Sequence, residues 1–128
     1  MNVLLDSVAI LFWLSNDRRL PDEARRLIVD PDSRLWVSAA SIWEIAIKAG
    51  LARSPLSLEL LDAVRRFVGS SACEVLPVTA QHAFRVAGLP MHHRDPFDRL
   101  LIAQCQLEGM TIVTNDSAFR KYEVDIRW

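Results

Sequence analysis

The chain has 128 residues, 51% of them hydrophobic, and a formal net charge of −1. That length matches one domain with apolar material for a full core, which excludes a disordered chain. The near-neutral charge excludes a protein that coats nucleic acid by bulk electrostatics, and the two widely spaced cysteines, Cys73 and Cys105, exclude a disulfide framework or a CxxC metal site.

The longest apolar run, Val8 to Leu14, is too short to span a bilayer. It is followed by Asp17-Arg18-Arg19 rather than by a small-residue cleavage site, so a cytoplasmic protein with reduced core thiols is expected and no membrane association. Nearly all the basic residues are arginine, Lys48 and Lys121 being the exceptions. Arginine suits bidentate phosphate contacts, although genomic base composition yields the same bias.

In chain order, Val3-Leu4-Leu5 predicts a buried strand, followed by a helix through Trp13. Pro21 at a first helical position, with Asp22 and Glu23 near the positive end of the dipole, predicts a helix to Val29. Leu35 to Ser38 reads as a second strand. Ser38 then caps a helix through Ala49 that Gly50 stops. Ser57 caps the next helix, where Leu58, Leu61 and Phe67 are spaced for one buried face. Glu74 to Val78 predicts a third strand, and Thr79 caps a short helix that Gly88 ends. Asp95-Pro96 starts a helix with Leu101, Ile102 and Cys105 inward and Gly109 as its stop. Thr111 to Thr114 is a fourth strand, and Val124 to Trp128 a fifth at the edge. This alternation predicts one α/β domain over residues 1–128, a mainly parallel central sheet flanked by helices.

The acids fall at informative places. Asp6 follows the first strand directly, and Asp116 follows the Thr111–Thr114 strand by two residues. Both lie beyond carboxyl ends of strands, where open parallel sheets place their sites. Asp98 lies in the first turn of the preceding helix. Glu44 stands among Ile42, Trp43, Ile45, Ala46 and Ile47, where a merely solvated charge is out of place. Four converging carboxylates would raise one another's pKa. A divalent cation removes that conflict, and oxygen ligands favour Mg²⁺ or Mn²⁺. Such a site can polarise a phosphate and orient water. Each acid also has an ordinary structural reading: Asp6 as an N-cap, Glu44 as an i,i+4 partner of Lys48, Asp116 as a turn or cap residue. Spacing alone leaves both readings open.

Four segments carry a resemblance. They are Leu4-Leu5-Asp6-Ser7; Val37-Ser38-Ala39-Ala40-Ser41-Ile42-Trp43-Glu44-Ile45-Ala46-Ile47-Lys48; Leu89-Pro90-Met91-His92-His93-Arg94-Asp95-Pro96-Phe97-Asp98-Arg99-Leu100-Leu101-Ile102-Ala103-Gln104; and Ile112-Val113-Thr114-Asn115-Asp116. In these the chain resembles PIN-domain ribonucleases, specifically the VapC-like toxins of type II toxin–antitoxin systems, over essentially its whole length. The resemblance implies a Mg²⁺-dependent endoribonuclease that hydrolyses RNA phosphodiester bonds, forms a homodimer and is inhibited by a cognate antitoxin. Its acidic set maps onto Asp6, Glu44, Asp98 and Asp116. Asp6, Asp98 and Asp116 would hold metal, with Glu44 completing the shell or positioning water. Relatives often carry Thr-His after the first acid, where this chain has Ser7-Val8.

Asp95, just before Pro96, reads as an N-cap, which puts Asp98 at the third helical position. Arg94 and Arg99 are expected to hold the RNA backbone. Ser7 is expected near the substrate, and Thr114 to orient a ligand carboxylate or water. His92 and His93 read as exposed loop residues rather than catalytic ones. The rival readings are a PIN nuclease that processes RNA without being a toxin, a catalytically inactive PIN binding module and, more distantly, a metal-dependent phosphatase. Short length favours the toxin, and the complete acidic set favours activity.

Overall fold

A computed structural model describes residues 1–51 and 56–128. Its sheet is built from β1 (Asn2–Leu5), β2 (Arg34–Ser38), β3 (Glu74–Leu76), β4 (Thr111–Val113) and β5 (Asp125–Arg127). Their order across the sheet is β3-β2-β1-β4-β5, and every neighbouring pair is parallel. The helices are α1 (Ser7–Leu14), α2 (Asp22–Val29), α3 (Ala39–Ala49), α4 (Leu58–Val68), α5 (Ala80–Val86) and α6 (Pro96–Glu108), with a short 3₁₀ turn at Ser117–Lys121.

Successive strand residues point to opposite faces of the sheet, and both faces of β1 are covered. Val3 and Leu5 pack with Ile10, Ala24, Ile45 and Val64, whereas Leu4 packs on the other side with Leu101, Ile102, Ile112 and Phe119. The result is three layers, with helices on both faces of the parallel sheet. Cys73 and Cys105 are buried free thiols, and burial pushes each up to about 12. Among the described residues no helix is long and apolar enough to cross a membrane.

The caps follow the local chemistry. Ser38, Ser57, Thr79 and Asp95 each accept a backbone N–H with the side chain at a helix start. Gly109 closes α6 with φ of 64°, a left-handed conformation that a Cβ would disfavour.

Three expectations are corrected. Pro21 is the N-cap of α2, so the helix proper opens on Asp22. The third strand stops at Leu76, short of Val78. The intervening Pro77 has no N–H to give a ladder. Leu58 is 77% exposed, and the inward residue of α4 is Val64, with Leu61 and Phe67 partly covered. Leu58, in the first turn of α4, sits instead at the rim of a groove between α3 and α4.

Candidate active site

The strand order reverses between β1 and β4: β2 and β3 extend to one side of β1, and β4 and β5 to the other. A crevice opens beyond the carboxyl ends at such a switch point. Leu5 of β1 pairs with Val113 of β4, and the Asp6 N–H donates to the Val113 carbonyl at 3.2 Å. The residues leaving these two strands, Asp6 and Thr114, are therefore neighbours.

Asp6 caps α1, and its Oδ1 accepts the Ala9 N–H at 2.7 Å. Its residue is only 5% exposed. Burial raises the carboxyl to about 6, against a hydrogen bond from Thr114 and the one from Ala9 that favour the ion; the charges of Glu44 and Asp116 raise it further. Asp98 is held in the first turn of α6. Its carboxyl rises to about 7, first through burial and then through the charge of Asp95, with Glu44 and Asp6 adding to the effect and His93 opposing it. Glu44 is thus within electrostatic reach of both, while its carboxylate also lies 3.6 Å from Lys48 Nζ.

Asp116 follows β4 and caps the 3₁₀ turn. Its Oδ1 accepts the Ala118 N–H at 2.9 Å, and its own N–H donates to Thr114 Oγ1 at 3.2 Å. Its Oδ2 lies 2.7 Å from His93 Nε2, which stands 3.1 Å from Asp98 Oδ2. His93 Nε2 and an oxygen from each of Asp98 and Asp116 lie within 4.8 Å of one another. Asp6 stands outside this tightest group, though its charge is felt by Asp98.

A family model for the PIN domain matches residues 3–125. The chain belongs to the PIN domain family. No curated protein sequence matches it. Solved structures do resemble this PIN domain in fold. VapBC2 from Rickettsia felis, bound to a DNA fragment from its promoter, aligns with a TM-score of 0.74 at 16% identity, over 99% of this chain and 98% of that one. DNA-bound VapBC from Salmonella typhimurium aligns with a TM-score of 0.71 at 21% identity, over 99% and 97%. VapBC-5 from Mycobacterium tuberculosis, a member of the VapBC family of toxin–antitoxin systems, aligns with a TM-score of 0.61 at 16% identity, over 98% and 95%.

The PIN fold brings Asp6, Glu44, Asp98 and Asp116 into one electrostatic neighbourhood. Asp95 is the cap of α6: its Oδ1 accepts from Phe97 N–H at 2.8 Å and Asp98 N–H at 3.2 Å. Arg94 is exposed beside the site and remains free to meet a phosphate. Ser7 is buried at the first position of α1, so it is less open to substrate than its place beside Asp6 implied.

Arg99 is the main correction. It is 7% exposed, and its guanidinium donates to the carbonyls of Pro90 at 3.0 Å, Val86 at 3.1 Å, and Leu89 and His93 at 3.3 Å. A buried guanidinium with both Nη groups committed to four carbonyls is not presented to an RNA phosphate. Arg99 instead organises the segment before α6.

Two residues of that organisation escaped the sequence. His93, expected in solvent, has a side chain only 14% exposed, between two site carboxylates. Tyr122 receives the N–H groups of His92 and His93 on its hydroxyl and donates to the Pro90 carbonyl at 2.8 Å. The His92 ring stands edge-on to Tyr122. A histidine two residues before an Asp-Pro cap was the available signal for His93; nothing local marked Tyr122.

Proposed function

We propose that this PIN protein is a divalent-metal-dependent endoribonuclease, the toxin of a type II toxin–antitoxin pair, neutralised by a cognate antitoxin in the cytoplasm. The observation that carries the reading is the convergence of Asp6, Glu44, Asp98 and Asp116 at the switch point, with Asp6 and Asp98 raised to about 6 and about 7. Acids held together at such a cost have no evident structural use as a group, since capping needs only one oxygen each.

The donor set fits a hard divalent ion: carboxylate oxygens predominate, and their mutual repulsion is what a cation relieves. Asp98 and Asp116, with Asp6 from the adjacent strand, would hold Mg²⁺ or Mn²⁺. When bound, such an ion supplies Lewis-acid polarisation of a phosphodiester and offsets the charge of the transition state. Glu44, on α3, is the carboxylate that remains to orient attacking water. Thr114 orients Asp6 through its hydroxyl. Arg94, exposed beside the acids, would meet the RNA backbone.

The antitoxin assignment is supported by likeness to VapBC assemblies and by an apolar groove that is open among the described residues. Between α3 and α4, Ile42, Ala46, Leu61 and Val68 line a surface trough. Trp43 and Ile47 of α3 are exposed nearby at 64% and 44%. An amphipathic antitoxin helix suits such a groove. Phe12, Trp13 and Leu14, by contrast, pack against the core. A second copy of the chain would complete a homodimer.

The test is cleavage of RNA by purified protein with Mg²⁺, with chelator, and with the Asp98→Asn variant. Cleavage only in the first is expected. Cleavage that survives both chelator and Asp98→Asn would overturn the metal-dependent reading.

A further inference from the structure

The two nitrogens of the His93 ring face different chemistry. Nδ1 accepts a hydrogen bond from the Asp95 backbone N–H at 3.1 Å. A nitrogen that accepts carries a lone pair, so the hydrogen of the neutral ring stands on Nε2. Nε2 lies 2.7 Å from Asp116 Oδ2 and 3.1 Å from Asp98 Oδ2, and donates to that pair. A metal at Nε2 would need the lone pair there. The hydrogen would then move to Nδ1, in front of the Asp95 N–H, and two donors would face each other across 3.1 Å. That arrangement forfeits a hydrogen bond and leaves an amide without its acceptor.

The ring is held in this pose from three sides. The His93 N–H donates to the Tyr122 hydroxyl at 2.9 Å, and its carbonyl accepts from Arg99 at 3.3 Å. The ring stands edge-on to Phe119 with centroids 5.9 Å apart, and Phe119 is fully buried.

We propose that His93 is a positioning residue of this site: its Nε2–H gathers the Asp98 and Asp116 carboxylates, and the ring stays out of the metal's coordination shell. The proposal rests on the metal-dependent reading above. It leaves an all-oxygen set for the ion, the kind that suits Mg²⁺. It also gives a reason for the Arg99–Tyr122 clamp, which holds both the N–H and the carbonyl of His93.

Three measurements test it. Nitrogen NMR of histidine-labelled, metal-free protein at alkaline pH should find the His93 hydrogen on Nε2; a hydrogen on Nδ1 would overturn the proposal. Electron spin echo spectra of the Mn²⁺-loaded protein should lack the nitrogen coupling of a coordinated imidazole. A coupling present in the wild type and lost in His93→Gln would make His93 a ligand and overturn it. Mn²⁺ affinity should fall about ten-fold in His93→Ala, the scale of removing a ligand's hydrogen-bond partner, and recover in His93→Gln, which keeps an N–H donor. His93→Ala binding Mn²⁺ as tightly as wild type would likewise overturn it. A wild-type protein that binds no Mn²⁺ would instead sink the metal reading itself, a different result from bound Mn²⁺ with a nitrogen coupling.

Discussion

Burial lifts the Asp6 carboxyl from 3.8 to about 6 and the Asp98 carboxyl to about 7. Each therefore keeps its proton in the folded state at pH values where the unfolded chain has released it. Stability contributed by these groups is present at low pH, falls as pH rises from about 4 through about 7, and is level above that. Without metal, melting in chelator should thus drop between mildly acidic and mildly alkaline buffer, and added Mg²⁺ should restore it. Asp98→Asn should lose cleavage yet gain about 1–2 kcal/mol at alkaline pH in chelator, since it removes a charge that burial and its neighbours oppose. A loss of stability there would show that the Asp98 charge is favourably held. Asp95 behaves differently. Asp95→Ala removes the cap bonds to Phe97 and Asp98 and should cost about 1 kcal/mol, whereas Asp95→Asn keeps them. Because the Asp95 charge raises Asp98, Asp95→Asn should also move the Asp98 midpoint down. Cleavage should persist, and its loss in a folded Asp95→Asn protein would place Asp95 among the catalytic acids.

The element that needs most explanation is the segment between α5 and α6. It contains no regular structure from Met91 to Asp95, yet it carries a site histidine. Its order comes from two side chains outside it, Arg99 on α6 and Tyr122 after the 3₁₀ turn. Arg99→Met keeps much of the apolar stem but leaves the carbonyls of Val86, Leu89, Pro90 and His93 without this donor. A loss of about 2–3 kcal/mol is expected, readable by urea denaturation. Arg99→Lys should recover only part, because one ammonium cannot span the same carbonyls. Weakened RNA binding at unchanged stability would instead return Arg99 to the substrate. The clamp also couples stability to the site, since a slack segment would loosen His93 and with it the pairing of Asp98 and Asp116.

At the scale of the whole molecule, the acids and the groove share only α3, which carries Glu44 as well as Ile42 and Ala46, so activity and neutralisation should separate at α3 residues other than Glu44. Expression without a partner should arrest growth, and Asp6→Asn should relieve the arrest, because Asn still caps α1 while the ligand charge is gone. Continued arrest by a folded Asp6→Asn protein would disconnect toxicity from the carboxylates. Ile47→Asp places a charge on the exposed part of α3 and should leave RNA cleavage intact while weakening capture of an antitoxin helix by at least ten-fold. Unchanged capture, measured by calorimetry with the purified antitoxin, would move the interface elsewhere.

Much of the protein was legible from the chain because it depends on residues a few positions apart. The buried strand of Val3, Leu4 and Leu5, the Ser38 and Asp95 caps and the Gly109 stop each express a local rule of backbone satisfaction. The four acids were legible as candidates for a similar reason: Asp6 and Asp116 follow strand ends, Asp98 sits in a first helical turn, and Glu44 is a charge set in an apolar stretch. Their meeting was carried by family resemblance rather than by spacing, since Asp6 and Asp116 become neighbours only when β4 inserts beside β1. Arg99 and His93 were decided by tertiary structure alone. A guanidinium has the same sequence signature whether it will serve phosphates or carbonyls, and only the folded segment from Val86 to His93 supplies the four oxygens that claim it. An imidazole next to a helix start looks exposed until Asp116, arriving from β4, closes over its Nε2.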